Sequence, residues 1–421
     1  MRTFAWLAAC LTVLALFGSA SAHHEPLLTP DEVAAWTEDL NALVTGIDRV
    51  HPDHHARNGP GVFDGVVSDV LASLPGMTRT QALLGAARIA NDLDGHSFFA
   101  VEQSGVAFGM APLWLYDFDD GLFVVEAQEP YRDLIGLQVV GIGEHSIDDV
   151  LAALEPHFVY DNQYSHRVNR GVWSLFGDAL HALGFTPDPA RVPFVLRGAA
   201  GELLHVETGT IPPDEYVTWT NWFWPGRMPQ RSEQLYLQRH LDDSFWFTEL
   251  EDTLFIQYNL TYSTTAGGLS MAAFARQVEE ALAARQYARV ILDMRHNGGG
   301  NNTTYPPLLR VLRGLPAETT LVVLTSRHTY SAAVNLAVDL ERSVPVTFVG
   351  EPTGGRPNLF SDARIVRLPN SGLVANISSR YWQKSDADDP REAVMPDVVV
   401  PVLSEDWFGG RDAALEAALK L

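Results

Sequence analysis

Apolar positions fall into three regimes along the 421-residue chain. From about residue 29 to residue 93 they recur at helical spacing, as Val33, Trp36, Leu40, Leu43, Val44 and Ile47 show. Thr29-Pro30-Asp31-Glu32 reads as a helix start, and Gly59-Pro60-Gly61 breaks this helix from a second at about 66–74. A third is predicted over 79–89. From about 106 to 206 short strand-like runs dominate, including Leu122-Phe123-Val124-Val125 and a run over 137–143 that ends in a glycine turn before a helix start at Ile147. From residue 253 onward strand-like runs at 254–257, 290–293, 320–324 and 346–349 alternate with helical patterns at 269–284, 304–312 and 331–340. Strands alternating with helices of this length imply a parallel sheet with crossover helices.

The start of the chain follows different rules. Arg2, an apolar run over 5–17 and Ala20-Ser21-Ala22 read as a secretory signal peptide over residues 1–22, cleaved near Ala22. The run is too short to span a bilayer, and no later stretch is long and apolar enough to do so. Leu7-Ala8-Ala9-Cys10 offers a lipidation site as the rival reading. A secreted or periplasmic location is expected. Cys10 is the single cysteine, so the processed chain would hold no disulfide, cysteine nucleophile or cysteine-based metal site. Loss of Arg2 leaves 28 basic against 52 acidic residues, a net charge of −24. Such a surface repels nucleic acid and anionic membranes. Nearly all the positive charge is arginine; the lysines are Lys384 and Lys420.

Residues 213–250 hold Trp219, Trp222, Trp224 and Trp246 beside Pro225-Gly226 and a charged run, and read as a connecting arm. Its tryptophans either line a groove or pack a domain joint.

Three turn-rich segments follow predicted strands of the last regime, where active sites of such sheets lie. In the first, Leu292-Asp293 runs into Asn297-Gly298-Gly299-Gly300, and glycine there allows positive φ and close approach. No G-K-[ST] follows, which argues against a phosphate loop. In the second, Thr329-Tyr330-Ser331-Ala332-Ala333 opens a helix. Ser331 is either a capping residue or a nucleophile at a helix N-terminus, where unpaired N–H groups can stabilise an oxyanion. The third is Gly350-Glu351-Pro352-Thr353-Gly354-Gly355-Arg356.

Taken in order, these motifs resemble the tail-specific, or C-terminal processing, serine peptidases, a family that also contains tricorn-core peptidases and a retinoid-binding branch. The resemblance covers roughly residues 85–100 and 250–400. It implies an α/β fold with a crotonase-like (ClpP-like) core at 251–421, a helical N-terminal region at 23–100, a PDZ-like domain at 101–212 and the arm at 213–250. It implies Ser331 as nucleophile, with the N–H groups of Gly299 and Ala332 as oxyanion donors and Gly298 as the less favoured neighbour. No cofactor or metal is implied, and the partner is a peptide or protein substrate.

One departure matters. The lysine that serves as base in the processing branch falls on Arg356, which stays protonated and cannot deprotonate a serine. Arg356 is a candidate for binding a substrate carboxylate instead. Asp94-Gly95-His96-Ser97 resembles the motif of the branch that uses Ser–His–acid, making His96 the expected base, with His328 a lesser candidate. Family spacing puts the acid at Asp389, with Glu392 and Asp388 close behind. His51-Pro52-Asp53-His54-His55 and His23-His24 were weighed as cation sites, and neither has a metal-ligand pattern. The rival functions are a non-enzymatic binding protein on the same fold and an esterase or lactamase using the same serine. No usable G-x-S-x-G is present, which argues against an α/β-hydrolase.

Overall fold

The computed structural model describes residues 25–99, 108–220, 236, 239–241 and 243–421. The expected signal peptide, Cys10, Trp222 and Trp224 lie outside them. The fold is mixed α/β, built on three sheets. Among the described residues no helix is long and apolar enough to cross a membrane.

The central sheet has six strands, in the order Val398–Val399, Thr347–Gly350, Thr320–Thr325, Arg289–Asp293, Thr253–Tyr258 and Phe245–Leu250. All neighbours pair in parallel except the last, which is antiparallel. Helices Met271–Ala284, Pro306–Arg313 and Ala332–Glu341 fall where the helical periodicity predicts them. They bury Phe274, Val278, Leu308, Leu312, Leu336 and Leu340 against Leu254, Val290 and Val323. Near-continuous apolar strands are what burial on both faces requires.

Three N-terminal helices form as the pattern predicts, at Pro30–Val50, Pro60–Ser73 and Arg79–Asn91. Thr29 and Glu32 close a reciprocal capping box on the first, with Pro30 at its first position. These helices do not stand apart from the C-terminal half. They pack on a three-stranded antiparallel sheet of Phe98–Phe99, Val374–Trp382 and Leu359–Arg367, sharing a core with Val366, Leu373, Ala375 and Ile377. The long hairpin 359–382 was not among the expected strands.

Residues 113–209 form a separate antiparallel sheet of Leu113–Phe118, Gly121–Ala127, Gln138–Ile142, Arg191–Arg197 and Leu203–Gly209, with the short strand His145–Ser146 beside Gln138–Ile142. Helix Ile147–Leu154 begins where expected, capped by Ser146. Trp219 packs against Tyr216 and the core of this unit, and Trp246 lies in the central sheet against Phe255 and Tyr236. The described tryptophans of the arm therefore pack cores.

Candidate active site

Parallel, in-register pairing brings the ends of strands Arg289–Asp293, Thr320–Thr325 and Thr347–Gly350 to one edge of the central sheet. The three turn-rich segments meet there. Buried side chains lock them together. Arg327 donates to Glu351 (Nε to Oε1, 2.8 Å) and to the carbonyl of Asp117 in the antiparallel unit (2.6 Å). Arg295 bridges Asp293 and Asp412, each at 2.7 Å. The N–H of Gly354 donates to the Thr329 carbonyl at 2.9 Å.

Ser331 precedes helix Ala332–Glu341 but does not cap it: its side chain makes no capping hydrogen bond. Its backbone sits at φ 53° and ψ −122°, a region that costs a residue with a Cβ of order 1–3 kcal/mol. A capping serine adopts extended angles at no such cost. A serine on a strained strand-to-helix turn is the arrangement that exposes a nucleophilic hydroxyl. The Ala332 N–H, at the first helical position, has no partner among the described residues.

The glycine turn packs directly against this serine. A Cβ on Gly299 would lie 2.7 Å from Ser331 Cβ and 2.9 Å from the Ala332 nitrogen. Gly299 itself has φ 103°. Its N–H, expected to face the oxyanion, instead donates to Asn297 Oδ1 at 2.9 Å. Asn297 holds the whole turn: Nδ2 donates to the Tyr258 carbonyl (3.0 Å), and its carbonyl accepts from the Tyr330 N–H (2.9 Å). Ser331 opens onto a cleft of about 330 Å³ whose lining includes Gly300, Asn335, Asp362, Arg380 and Trp382.

His96 packs against Tyr330, the residue before the nucleophile candidate. The two rings stack at 4.6 Å and 17°, and His96 Nδ1 lies 3.2 Å from the Tyr330 hydroxyl. His96 Nε2 is shielded from water and has no hydrogen-bond partner among the described residues. Burial holds the imidazole below the ordinary histidine range, against the opposing charges of Asp94 and Asp362. No hydrogen bond joins His96 to Ser331; they are linked through Tyr330.

The loop carrying His96 is fixed by Asp94. Its carboxylate accepts from His51 Nε2 (2.8 Å), the His96 N–H (2.5 Å), Ser97 and the Ser378 hydroxyl of the hairpin. Burial disfavours its charge, but the His51 bond and the other donors outweigh this and hold Asp94 below the usual carboxylate range. Gly95 is needed for close approach, since a Cβ there would lie 2.1 Å from the Tyr330 hydroxyl and 2.6 Å from Asp161 Cβ. Asp161 is pushed up to about 6 by burial, against the Arg356 N–H that it accepts at 2.7 Å.

The acid expected at Asp389 is engaged elsewhere. Its carboxylate accepts from Ser385 and from Arg391, which also binds Glu341. Glu341 ends the helix that Ser331 begins, ~15 Å away at 1.5 Å per residue. Arg391 holds Asp389 well below the usual carboxylate range. Asp388 is exposed, and Glu392 is spent on Arg356 (3.1 Å) and Gln163 (3.3 Å). Arg356 thus pairs with Glu392 at the surface, with both side chains exposed. His328 faces Tyr116 at 3.4 Å. His51, weighed as a cation ligand, is buried on Asp94. Tyr330, Asp94, Asn297 and Asp161 form the surroundings of the site but carried no role in the sequence reading. Asp94, Asn297 and Tyr330 lie inside the quoted motifs, whereas Asp161 lies in none of them.

No protein-family description matches the sequence, and no curated protein matches it. Solved structures do. Mature CPAF complexed with lactacystin shares 12% identity at a TM-score of 0.59, over 89% of this chain and 95% of that one. A CPAF mutant gives 12% identity and a TM-score of 0.60, over 92% and 97%. The photosystem II D1 C-terminal processing protease is 18% identical over 89% and 94%, at a TM-score of 0.42. The chain thus shares its fold with CPAF over nearly its full length.

Proposed function

We propose that the protein is a serine peptidase that cleaves peptide bonds through an acyl-enzyme on Ser331. The observation that carries this reading is the backbone of Ser331, held at φ 53° with no capping bond to repay the strain. In this mechanism Ser331 Oγ attacks the scissile carbonyl while His96 Nε2 takes its proton. The tetrahedral oxyanion is met by the Ala332 N–H, and by the Gly299 N–H once that group exchanges Asn297 Oδ1 for the substrate. His96 then returns the proton to the leaving amine, and water repeats the sequence to release the acid. Nε2 can accept a proton only if Nδ1 carries one, so Nδ1 donates to the Tyr330 hydroxyl. That contact supports Tyr330 as the group that fixes the tautomer. Closing the distance between His96 and Ser331 requires substrate to tighten the site, as catalytic hydrogen bonds commonly do.

The parallel central sheet with its crossover helices is read as a crotonase-like core, and the antiparallel unit at 113–209 as the sheet of the PDZ-like domain. The leader-like residues 1–22 support action outside the cytoplasm.

A fluorophosphonate probe tests the proposal. Wild type is expected to be labelled, Ser331→Ala not at all, and His96→Ala at least 100-fold more slowly, roughly the value of a general base. Absence of labelling in the wild type would favour a non-enzymatic binding protein.

A further inference from the structure

Among the described residues four non-glycine positions have positive φ, and two of them, Ser331 and Asp362, line the same cleft. Asp362 sits at φ 56° in strand Leu359–Arg367, the outer strand of its sheet. The ladder to Val374–Trp382 pairs Ser361 with Arg380 and Ala363 with Ser378, and skips the pair between them. The Ser379 hydroxyl donates to the Asp362 carbonyl at 2.5 Å in its place. A left-handed residue inside a strand is costly and re-aims its side chain. Here that side chain becomes part of the wall beside the nucleophile candidate.

The Asp362 carboxylate is free to take a ligand. Its ion partner is Arg380 at 3.6 Å, with both side chains more than half exposed, a pair of little strength. The Arg380 guanidinium also lies over the Trp382 ring at 4.0 Å, a resting place that does not need Asp362. The buried carboxylates around the site are committed, Asp94 to His51 and Ser97 and Asp161 to the Arg356 N–H, while Glu392 lies on Arg356 and outside the lining of this cleft. Asp362 and Arg380 are the charged groups of the cleft, whose remaining lining is largely neutral and polar. The whole chain carries a net charge of −23, which steers cations toward it and anions away.

We propose that Asp362 determines specificity: the cleft beside Ser331 accepts a lysine or arginine side chain of a peptide substrate, whose cation displaces Arg380 from the Asp362 carboxylate. This inference rests on the peptidase reading of Ser331 and adds the substrate class.

Peptidyl diphenyl phosphonates test it, because they modify an active serine and carry a side chain beside the reacting phosphorus. Three probes are compared, with a lysine-like, a norleucine-like and a glutamate-like side chain. The measured quantity is the second-order rate constant of Ser331 modification. Wild type is expected to react with the cationic probe about tenfold faster than with the neutral one, the value of one charge-assisted contact, and slowest with the anionic probe. Asp362→Asn is expected to reduce the cationic-to-neutral ratio about five- to tenfold. Asparagine tolerates the left-handed backbone, so this variant retains the strand, which thermal unfolding verifies. Arg380→Gln is expected to raise the ratio. Equal or faster reaction of the neutral or anionic probe in wild type would overturn the proposal, as would an unchanged ratio in Asp362→Asn. If a simple fluorophosphonate labels Ser331 while the three probes show no preference, specificity alone fails. If it does not label Ser331, the peptidase reading fails and takes the specificity with it.

Discussion

At the scale of single residues, two kinds of constraint converge on Ser331. One is backbone strain and the other is contact. Gly299 touches Ser331 so closely that a methyl group would have to displace Ser331 or the start of the helix that follows it. Gly299→Ala is expected to abolish fluorophosphonate labelling and lower Tm, since it also puts a Cβ at φ 103°. Asp161 gives a prediction with a pH signature. Its carboxyl is raised to about 6, so the folded state holds a proton that the unfolded chain releases near pH 4. The native state is therefore penalised as pH rises from about 4 through about 6, and the penalty is complete above that. Asp161→Asn is expected to gain about 1–1.5 kcal/mol of stability relative to wild type between pH 5 and pH 7.5, the rest of a roughly 3 kcal/mol effect falling below pH 5. Thermal melts at the two pH values check this; an equal difference at both would refute it. His96 has the opposite sign. Its depressed pKa keeps the imidazole neutral below the ordinary range, so the acid limb of kcat/KM is expected below pH ~6.5.

At the scale of elements, the helix Ala332–Glu341 separates two groups that family spacing brings together. Ser331 stands before its first residue, while Asp389 binds Arg391 and through it Glu341 at the last. Asp389→Asn is expected to lower Tm yet leave fluorophosphonate labelling within about twofold of wild type, as for distant independent sites. Loss of labelling in that variant would restore Asp389 to the site. The hairpin 359–382 shows why some elements escaped the periodic reading. One face packs on helices through Val366, Ala375 and Ile377, while Asp362, Ala363, Arg364 and Ile365 are all exposed. The left-handed turn at Asp362 also interrupts the alternation that marks a strand. By contrast, the buried strands of the central sheet read as uninterrupted apolar runs and were legible at once.

At the scale of the whole molecule, the N-terminal helices and the C-terminal hairpin form one body. Gly46, near the C-terminal end of helix Pro30–Val50, shows how closely they meet: a Cβ there would lie 2.4 Å from Val366 Cγ1. Gly46→Leu is expected to destabilise the fold by roughly 1–3 kcal/mol or more, the usual cost of overpacking. Because Asp94 ties the same hairpin to the His96 loop through Ser378, the variant is also expected to slow labelling of Ser331. The sequence alone determined not the edge strands Phe245–Leu250 and Val398–Val399 but the four inner strands of the central sheet with their crossover helices, the strand-end position of Ser331 and the candidacy of His96. Those features are local: apolar period, turn chemistry and motif order lie within a few residues of one another. Only the tertiary structure decided that Asp389 serves the far end of the helix. It also decided that Gly299 turns its N–H to Asn297, and that Tyr330 stacks on His96 and reaches its Nδ1. Each of these is a choice of hydrogen-bond partner among groups distant in sequence or competing at one turn, and such choices are fixed by packing rather than by pattern.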